Sequence, residues 1–210
     1  MTKADDLLAR AYALTGIDEA ETKALYRDWA ATYDDTMLEG LGYQSPAKVS
    51  ALLVRQNPGL DANILDIGCG TGLLAEHLRA LGFANIDGLD FSADMLAEAQ
   101  RLKRINNAYN CDLNKPLPPP HQQYDYLVST GTFTHGHVNA LCLPDLMNWL
   151  VDGGMLIATV HQHVWSQGLF DQTIERMQHE GLLESVDREK GTLFATDQES
   201  TGWYLTIIKA

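Results

Sequence analysis

Leu65-Asp66-Ile67-Gly68-Cys69-Gly70-Thr71-Gly72 is the stretch of sequence that decides the fold. A short apolar run over 63–67 leads into it and predicts a β-strand. The residues after it, 73–81, have the spacing of an amphipathic helix that Gly82 closes. Residues 68–72, here called the glycine loop, carry three alternating glycines, which let the backbone turn tightly and approach a ligand closely. One glycine would fit a purely structural turn, whereas three directly after a strand indicate a binding loop.

Strand-like and helix-like segments alternate outward from the glycine loop. This alternation is typical of a parallel sheet covered by helices. The strands are predicted over 63–67, 85–90, 108–111, 124–130, 155–160, 193–196 and 203–208. The helices are predicted over 3–14, 18–33, from 45 to near 57, and over 73–81, 92–104, 140–150 and 167–180. We therefore expect a doubly wound α/β domain over 45–210, seven-stranded with an antiparallel last pair, and an N-terminal helical cap over 1–44.

Composition narrows the choice of partner. The chain has 210 residues and a formal net charge of −13. This charge opposes phosphate backbones and anionic membranes, so a small molecule is the expected partner and a nucleic acid is not. Three scattered cysteines, no apolar run long enough for a membrane and a polar N-terminus lead us to expect a reduced, cytoplasmic protein.

The spacing of the glycine loop argues against a dinucleotide. A dinucleotide fingerprint needs glycine at the sixth place of G-x-G-x-x-G, and that place is Leu73. The Lys and Ser/Thr of a phosphate-binding P-loop are also absent. Asp66, directly before the loop, would repel a pyrophosphate but attract an ammonium group.

Two further acids follow predicted strands in order. Asp90 ends the second strand, where a carboxylate can accept hydrogen bonds from both ribose hydroxyls. The alternative is that Asp90 caps the helix that begins at Ser92. Phe91 beside it can pack on an adenine face. After the third strand, Asp112 can accept from an adenine amino group while Leu113 packs nearby.

Histidines follow the fourth and fifth strands. The loop predicted over 129–137 faces the cleft, because ligands bind at the carboxyl ends of strands in such sheets. His135, and less favourably His137, can act as a general base, or both can simply shape the pocket. His161 and His163 would share one face of a strand. No third ligand accompanies them, so we predict no metal site.

An aromatic stripe marks the predicted N-terminal cap. Tyr26, Trp29 and Tyr33 have helical spacing in the second helix. Such a stripe usually packs in a core. Here it can also form a lid whose aromatic faces meet a cationic sulfonium or an acceptor.

These motifs together resemble the class I S-adenosylmethionine-dependent methyltransferases, over most of the chain from about Tyr26. Residues 66–72 are similar to the first motif of the family, and residues 88–92 with Met95 are similar to the second. Within the class, residues 29–34 and 131–138 resemble the methyltransferase-like protein 27 group.

The resemblance implies a Rossmann-like, seven-stranded sheet with its last strand antiparallel and S-adenosylmethionine as the cofactor. Asp66 and the backbone of the glycine loop would face the methionine moiety, Asp90 the ribose, and Asp112 the adenine. The expected cofactor-binding residues are Tyr26, Trp29, Tyr33, Asp66, Gly68, Cys69, Gly70, Asp90, Phe91, Met95, Asp112, Leu113, Thr130 and Gly131. The resemblance supplies no catalytic base, so His135 is a candidate from its position alone.

One departure bears on the acceptor. The Asn/Asp-Pro-Pro-Tyr motif of many amine-modifying methyltransferases is absent, and Ser129-Thr130-Gly131-Thr132 stands in its place. This argues against N-methylation of adenine or glutamine. We therefore expect methyl transfer to a small acceptor. A non-catalytic, cofactor-sensing protein and a nicotinamide-dependent dehydrogenase are the two alternatives.

Overall fold

The computed structural model describes residues 24–25, 27–134 and 138–210. The predicted helix over 3–14, Tyr26 and both His135 and His137 lie outside these ranges. Within the described part of the expected cap, residues 30–40 are here called the N-terminal helical segment. It consists of consecutive 3₁₀, α and π turns over Ala30–Thr32, Tyr33–Asp35 and Thr36–Gly40.

Seven strands form one sheet within the described ranges. They are β1 (Ile64–Ile67), β2 (Ile86–Asp90), β3 (Ala108–Asn110), β4 (Tyr124–Phe133), β5 (Leu150–His161), β6 (Leu183–Thr192) and β7 (Thr201–Lys209). Their order in the sheet is β3-β2-β1-β4-β5-β7-β6. Strands β1 to β5 pair in parallel, and β7 runs antiparallel between β5 and β6. The predicted doubly wound sheet with an antiparallel last strand is confirmed.

Helices cover both faces of the sheet. They are α1 (Ser45–Arg55), α2 (Leu73–Ala80), α3 (Ala93–Arg101), α4 (Leu143–Met147), α5 (Gln162–Ser166) and α6 (Leu169–His179). Helices α1 to α3 pack into one buried core, and α4 to α6 pack into another on the opposite face. Because both faces are covered, every residue of β1 is buried, as expected for an inner parallel strand.

Local signals set the beginnings of two of these helices as predicted. Pro46 occupies the first turn of α1, where its missing N–H costs no helical hydrogen bond. The Ser92 side chain accepts a hydrogen bond from the Met95 N–H at 3.4 Å and so caps α3. The Ser92 cap fixes where the chain leaves the carboxyl end of β2 and enters α3.

The prediction of a strand over 193–196 is wrong. The penultimate strand is instead β6, which begins at Leu183, ten residues before the predicted start. Phe194 makes only an isolated β-bridge to Tyr43. Strand β6 lies at the sheet edge and is mostly exposed and charged. Edge strands commonly carry charges that discourage pairing with other chains, so a search for apolar alternation misses them.

Strand β4 is longer than predicted. It continues through Gly131 to Phe133 instead of ending at Thr130, with a register shift against β5 between Ser129 and Phe133. Gly131 lies at a φ of +75°, which only glycine adopts readily, and this allows the irregularity. Thr130 and Gly131 therefore stand on a strand extension at the carboxyl edge.

The chain after β5 also differs from the prediction. His161 is the last residue of β5, while His163 already lies in α5, so they do not share a strand face. Instead, His161 Nδ1 accepts from the His163 N–H at 3.1 Å and caps α5. The predicted helix over 167–180 begins after Gly168, whose φ of +78° separates α5 from α6.

Candidate functional site

A cleft opens at the carboxyl ends of β1, β2 and β4. It holds about 470 Å³ of empty space, part of it open to solvent. Its lining comes from four separate parts of the chain and consists of Tyr33, Gly68, Gly70, Asp90, Phe91, Met95, Thr130, Gly131, Thr132 and Val138. Eight of these ten are residues that the sequence predicted, so the fold brings most of the expected site together.

The glycine loop forms the floor of this cleft. Gly68, Gly70 and Gly72 all have left-handed backbone conformations, with φ values of +62°, +54° and +85°. Glycine adopts this region without the steric cost that other residues meet. A Cβ at Gly70 would meet no other atom within 4 Å, so packing inside the protein does not explain that glycine. Its conformation and the open space beside it fit a loop that a ligand approaches.

Asp90 joins the glycine loop to the next strand. Its Oδ2 accepts from the Gly70 N–H at 2.9 Å, and its Oδ1 accepts from the Ser92 N–H at 2.8 Å. Thus the Ser92 contact predicted as an alternative exists, and Asp90 still lines the cleft. A carboxylate has about four lone-pair sites, so Asp90 keeps acceptor capacity for a ligand beside these backbone contacts. Burial raises the pKa of Asp90 to about 6, and the backbone N–H donors of Ser92, Gly70 and Phe91 oppose this shift.

Asp66 lies beneath the loop and not on the cleft surface. It is 1% exposed, and its Oδ2 has no hydrogen-bond partner in the described part of the chain. Burial, reinforced by the Asp90 charge, raises the pKa of Asp66 well above its ordinary value. The expected contact of Asp66 with a ligand remains a prediction.

Cys69 contributes its backbone to the glycine loop, while its side chain packs away from the cleft. The thiol belongs to the core on the α1–α3 face and is 8% exposed. Burial raises the pKa of the Cys69 thiol well above its ordinary value, and the Asp66 and Asp90 charges add to this. A buried thiol with a raised pKa is not a reactive nucleophile.

The N-terminal helical segment supplies one wall of the cleft through Tyr33. Trp29, just before the segment, is 2% exposed and does not line the cleft. Its ring packs edge-on against Tyr33 with centroids 5.0 Å apart, and its Nε1 donates to Thr36 Oγ1 at 3.3 Å. Trp29 therefore supports Tyr33 from behind.

Asp112 and Leu113 also lie outside the lining of the cleft. Asp112 accepts from the Asn114 N–H at 3.0 Å and forms an ion pair with Lys115 at 3.1 Å. Leu113 is buried in the core on the α4–α6 face. Neither residue lines the cleft as described, so their role toward an adenine remains a prediction.

Thr132 and Val138 line the cleft but were missed by the sequence analysis. The hydroxyls of Ser129 and Thr132 lie 2.8 and 2.9 Å from the carbonyl oxygen of Ile67, at the end of β1. These contacts tie the β4 extension to the start of the glycine loop. Thr132 does stand in the quoted stretch after the fourth strand, but the sequence offered no sign that β4 continues to it.

Comparison with known proteins identifies the family. A family model described as a methyltransferase domain matches residues 64–154. Methyltransferase-like protein 27 of Homo sapiens is 31% identical over 188 residues, covering 86% of this chain and 76% of the human protein. The chain belongs to the class I S-adenosylmethionine-dependent methyltransferases. Matches to other curated methyltransferases span less than half of those proteins.

Solved structures share the fold of this methyltransferase. A magnesium protoporphyrin IX methyltransferase from Synechocystis with bound S-adenosylmethionine superposes with a TM-score of 0.57 at 18% identity, covering all of this chain and 92% of that one. A putative methyltransferase of Haloferax volcanii, solved in complex with the Trm112 activator, superposes with a TM-score of 0.62 at 21% identity. The match covers 88% of this chain and 97% of that one. The family assignment contradicts the nicotinamide-dependent dehydrogenase alternative.

The described residues of the methyltransferase include no helix that is both long and apolar enough to cross a bilayer. Within residues 24–25, 27–134 and 138–210, no group of three or more His, Cys, Asp or Glu side chains is placed to hold a metal ion.

Proposed function

We propose that this methyltransferase binds S-adenosylmethionine in the cleft at the carboxyl ends of β1, β2 and β4 and transfers its methyl group to a small molecule. The observation that carries the proposal is Asp90, whose carboxylate lines the cleft, holds the Gly70 N–H and has acceptor capacity to offer a ligand. We assign Asp90 to both ribose hydroxyls.

The methionine end of the cofactor is assigned to the glycine loop. Open space at Gly70 leaves room for close backbone approach, and Gly68 lines the same floor. The unpartnered Oδ2 of Asp66 lies below this floor and lacks a donor, which the cofactor ammonium would supply. An orphaned buried carboxylate oxygen is costly, so a ligand donor there favours binding.

The adenine end is assigned to Phe91 and Met95, which line the cleft beside Asp90. An aromatic ring and a polarisable thioether both pack well on a flat base. Asp112 and Leu113 stay assigned to the adenine as a less direct second contact. Tyr33, with Tyr26 and Trp29, is assigned to the cap over the cofactor, within residues 1–44.

The cofactor supplies an activated sulfonium methyl group, so the residues of this chain need only orient the acceptor and exclude water. Thr130, Gly131 and Thr132 form the wall between the glycine loop and the chain after β4. Thr130 and Gly131 stay assigned to the cofactor, and we assign the far side of this wall to the acceptor. Where the acceptor must lose a proton, His135 is the proposed general base.

A small acceptor is favoured by charge. The net charge of −13 opposes binding to nucleic acid phosphates. The departure at Ser129-Thr130-Gly131-Thr132 from the amine-modifying motif points the same way. Cys69, Cys111 and Cys142 are all unpaired, and we propose a reducing, cytoplasmic location for the enzyme on that basis.

Calorimetric titration with S-adenosylhomocysteine tests the cofactor assignment, with NAD as the negative control. We expect S-adenosylhomocysteine to bind and NAD not to bind. Binding of NAD alone would overturn the assignment. Transfer of labelled methyl groups to a panel of small molecules, peptides and RNA then tests the acceptor class. Labelling confined to peptides or RNA would contradict the small-molecule proposal.

A further inference from the structure

Thr71 and Arg104 form a polar socket behind the glycine loop. Arg104 Nη1 donates to the Thr71 carbonyl at 3.1 Å, and a Cβ at Gly72 would lie 3.0 Å from the Arg104 Cβ. The Arg104 N–H donates to the Ala99 carbonyl at 3.0 Å, and its own carbonyl accepts from Arg79 Nε. The socket is therefore fixed to the body of the domain by contacts that do not involve the N-terminal helical segment.

Asp34 of the N-terminal helical segment fills this socket. Its Oδ1 accepts from the Thr71 hydroxyl, and its Oδ2 accepts from Arg104 Nη1. The side chains of Asp34 and Arg104 are only 23% and 11% exposed, so solvent and salt screen their attraction less than that of a surface pair. One carboxylate thus joins the segment to the glycine loop and to the body at the same time.

Tyr33, next to Asp34 in the chain, connects the Asp34–Thr71 hydrogen bond to the cleft. Tyr33 lines the cleft, and Thr71 directly follows Gly70 on the cleft floor. Because Asp34 is bonded to Thr71, the position of the Tyr33 wall is set relative to the floor. The contact joins residues 37 positions apart, so the local geometry of the chain does not enforce it.

We propose that Asp34 is a positioning residue for the methyltransferase: its hydrogen bonds to Thr71 and Arg104 hold the N-terminal helical segment over the cleft and slow the release of the cofactor. This inference rests on the proposed cofactor site. It adds that retention of the ligand depends on a carboxylate that does not itself line the cleft.

Loss of Asp34 leaves the socket itself stable. Arg104 Nη2 also donates to Glu76 Oε2 at 2.6 Å, so the guanidinium keeps a carboxylate partner in Asp34→Ala. Thr71 keeps the Arg104 contact to its carbonyl. The substitution therefore strands no buried charge, and a defect in ligand release is separable from unfolding.

The experiment measures S-adenosylhomocysteine dissociation by stopped flow and amide hydrogen exchange over residues 30–40. In Asp34→Ala we expect roughly tenfold faster dissociation, the effect of losing charge-assisted hydrogen bonds. Exchange over residues 30–40 should rise while β5 and β7 keep wild-type protection. Thr71→Val, which removes the hydroxyl, should also raise amide exchange over residues 30–40. Thr71→Ser, which keeps the hydroxyl, should show wild-type exchange there.

Asp171→Asn is the matched control, because it changes a carboxylate to an amide in the Asp171–Arg188 pair between α6 and β6, and that pair involves neither socket residue. It should leave both readouts unchanged. Unchanged dissociation and exchange in Asp34→Ala would overturn this inference while leaving the cofactor site intact. Raised exchange across the whole sheet would overturn it too, since Asp34 would then be a general stability residue. Failure of the wild type to bind would count against the proposed function, and exchange over residues 30–40 would still test the Asp34 contact.

Discussion

The backbone N–H of Gly70 donates to Oδ2 of Asp90 at 2.9 Å, which links the loop after β1 to the end of β2. Asp90 is therefore both a wall of the cleft and a support for the shape of its floor. Its substitution should change ligand binding through both roles, and the two need separate measurements.

Replacing Asp90 with Ala should weaken S-adenosylhomocysteine binding by roughly 1–3 kcal/mol, because the ribose hydroxyls lose their acceptor. Calorimetric titration measures this directly. Asp94→Ala is a suitable control, since Asp94 is an exposed carboxylate in the first turn of α3. Equal affinities of Asp90→Ala and the wild type would remove the ribose assignment.

Ligand affinity should depend on pH through Asp90. Burial raises its pKa to about 6, and only the ionised form can accept from both ribose hydroxyls. Affinity should therefore be full above about pH 6 and decline as the pH falls through this value. Calorimetric titrations between about pH 5 and 8 span this pKa and measure the effect. Asp90→Asn should bind weakly with a flat profile.

The stability of the ligand-free protein should depend on pH in the opposite direction, because ionisation of the buried Asp90 lowers the free energy of unfolding. The folded-state pKa of about 6 exceeds the ordinary value of 3.8, so the folded state binds the proton more tightly. This contribution to stability is fully present below about pH 3.8 and is lost as the pH rises through about 6. Urea unfolding of the wild type and Asp90→Asn across this range should show the difference. A difference that grows toward low pH in favour of Asp90→Asn would contradict it.

Gly70 and Gly153 form a matched pair for testing the cleft floor. Their φ values are +54° and +74°, and a Cβ at either would meet nothing within 4 Å. Substitution by Ala at either site should cost about 1 kcal/mol of unfolding free energy through backbone strain. Only Gly70→Ala should also weaken S-adenosylhomocysteine binding, because only Gly70 lies in the cleft. Equal affinities of the two variants would argue against ligand approach at Gly70.

Tyr124→Phe should lower stability without affecting the ligand. The buried Tyr124 hydroxyl donates to Asp87 Oδ2 at 2.9 Å, and Gln122 Nε2 donates to the same oxygen at 3.1 Å. Loss of one donor to a buried carboxylate should cost about 1–3 kcal/mol in urea unfolding. Tyr126→Phe is the control, since within the described ranges the Tyr126 hydroxyl makes no hydrogen bond. An equal loss in both variants would contradict a specific role for the Tyr124 bond.

Apolar periodicity predicted the inner strands β1 and β2 because every residue of these strands is buried. It failed at β6, whose edge position is compatible with Asp187, Arg188, Glu189 and Lys190 in succession. It also ended β4 too early, because Gly131 is typical of a loop when only the sequence is known. Pairing with neighbouring strands, which no local pattern records, decided both cases.

The residues of the candidate site were likewise predictable only in part. Gly70 and Asp90 were predictable because each directly follows or ends a strand, and parallel strands bring these positions to one edge. The contact of Asp34 with Thr71 was not, since nothing near either residue marks the other. The packing of Trp29 behind Tyr33 similarly depends on how the segment folds onto the domain.

Strand β4 carries the chain past the sheet as far as Phe133, with the Gly131 N–H donating to Thr159 Oγ1 at 3.2 Å and the Thr132 hydroxyl bonded to Ile67. The wall next to the glycine loop is thereby anchored before the chain reaches residue 134. Substitutions at residues 135–138 should consequently leave the floor in place on which the cofactor is proposed to rest. A scaffold of this kind can keep one methyl donor while exchanging one acceptor for another.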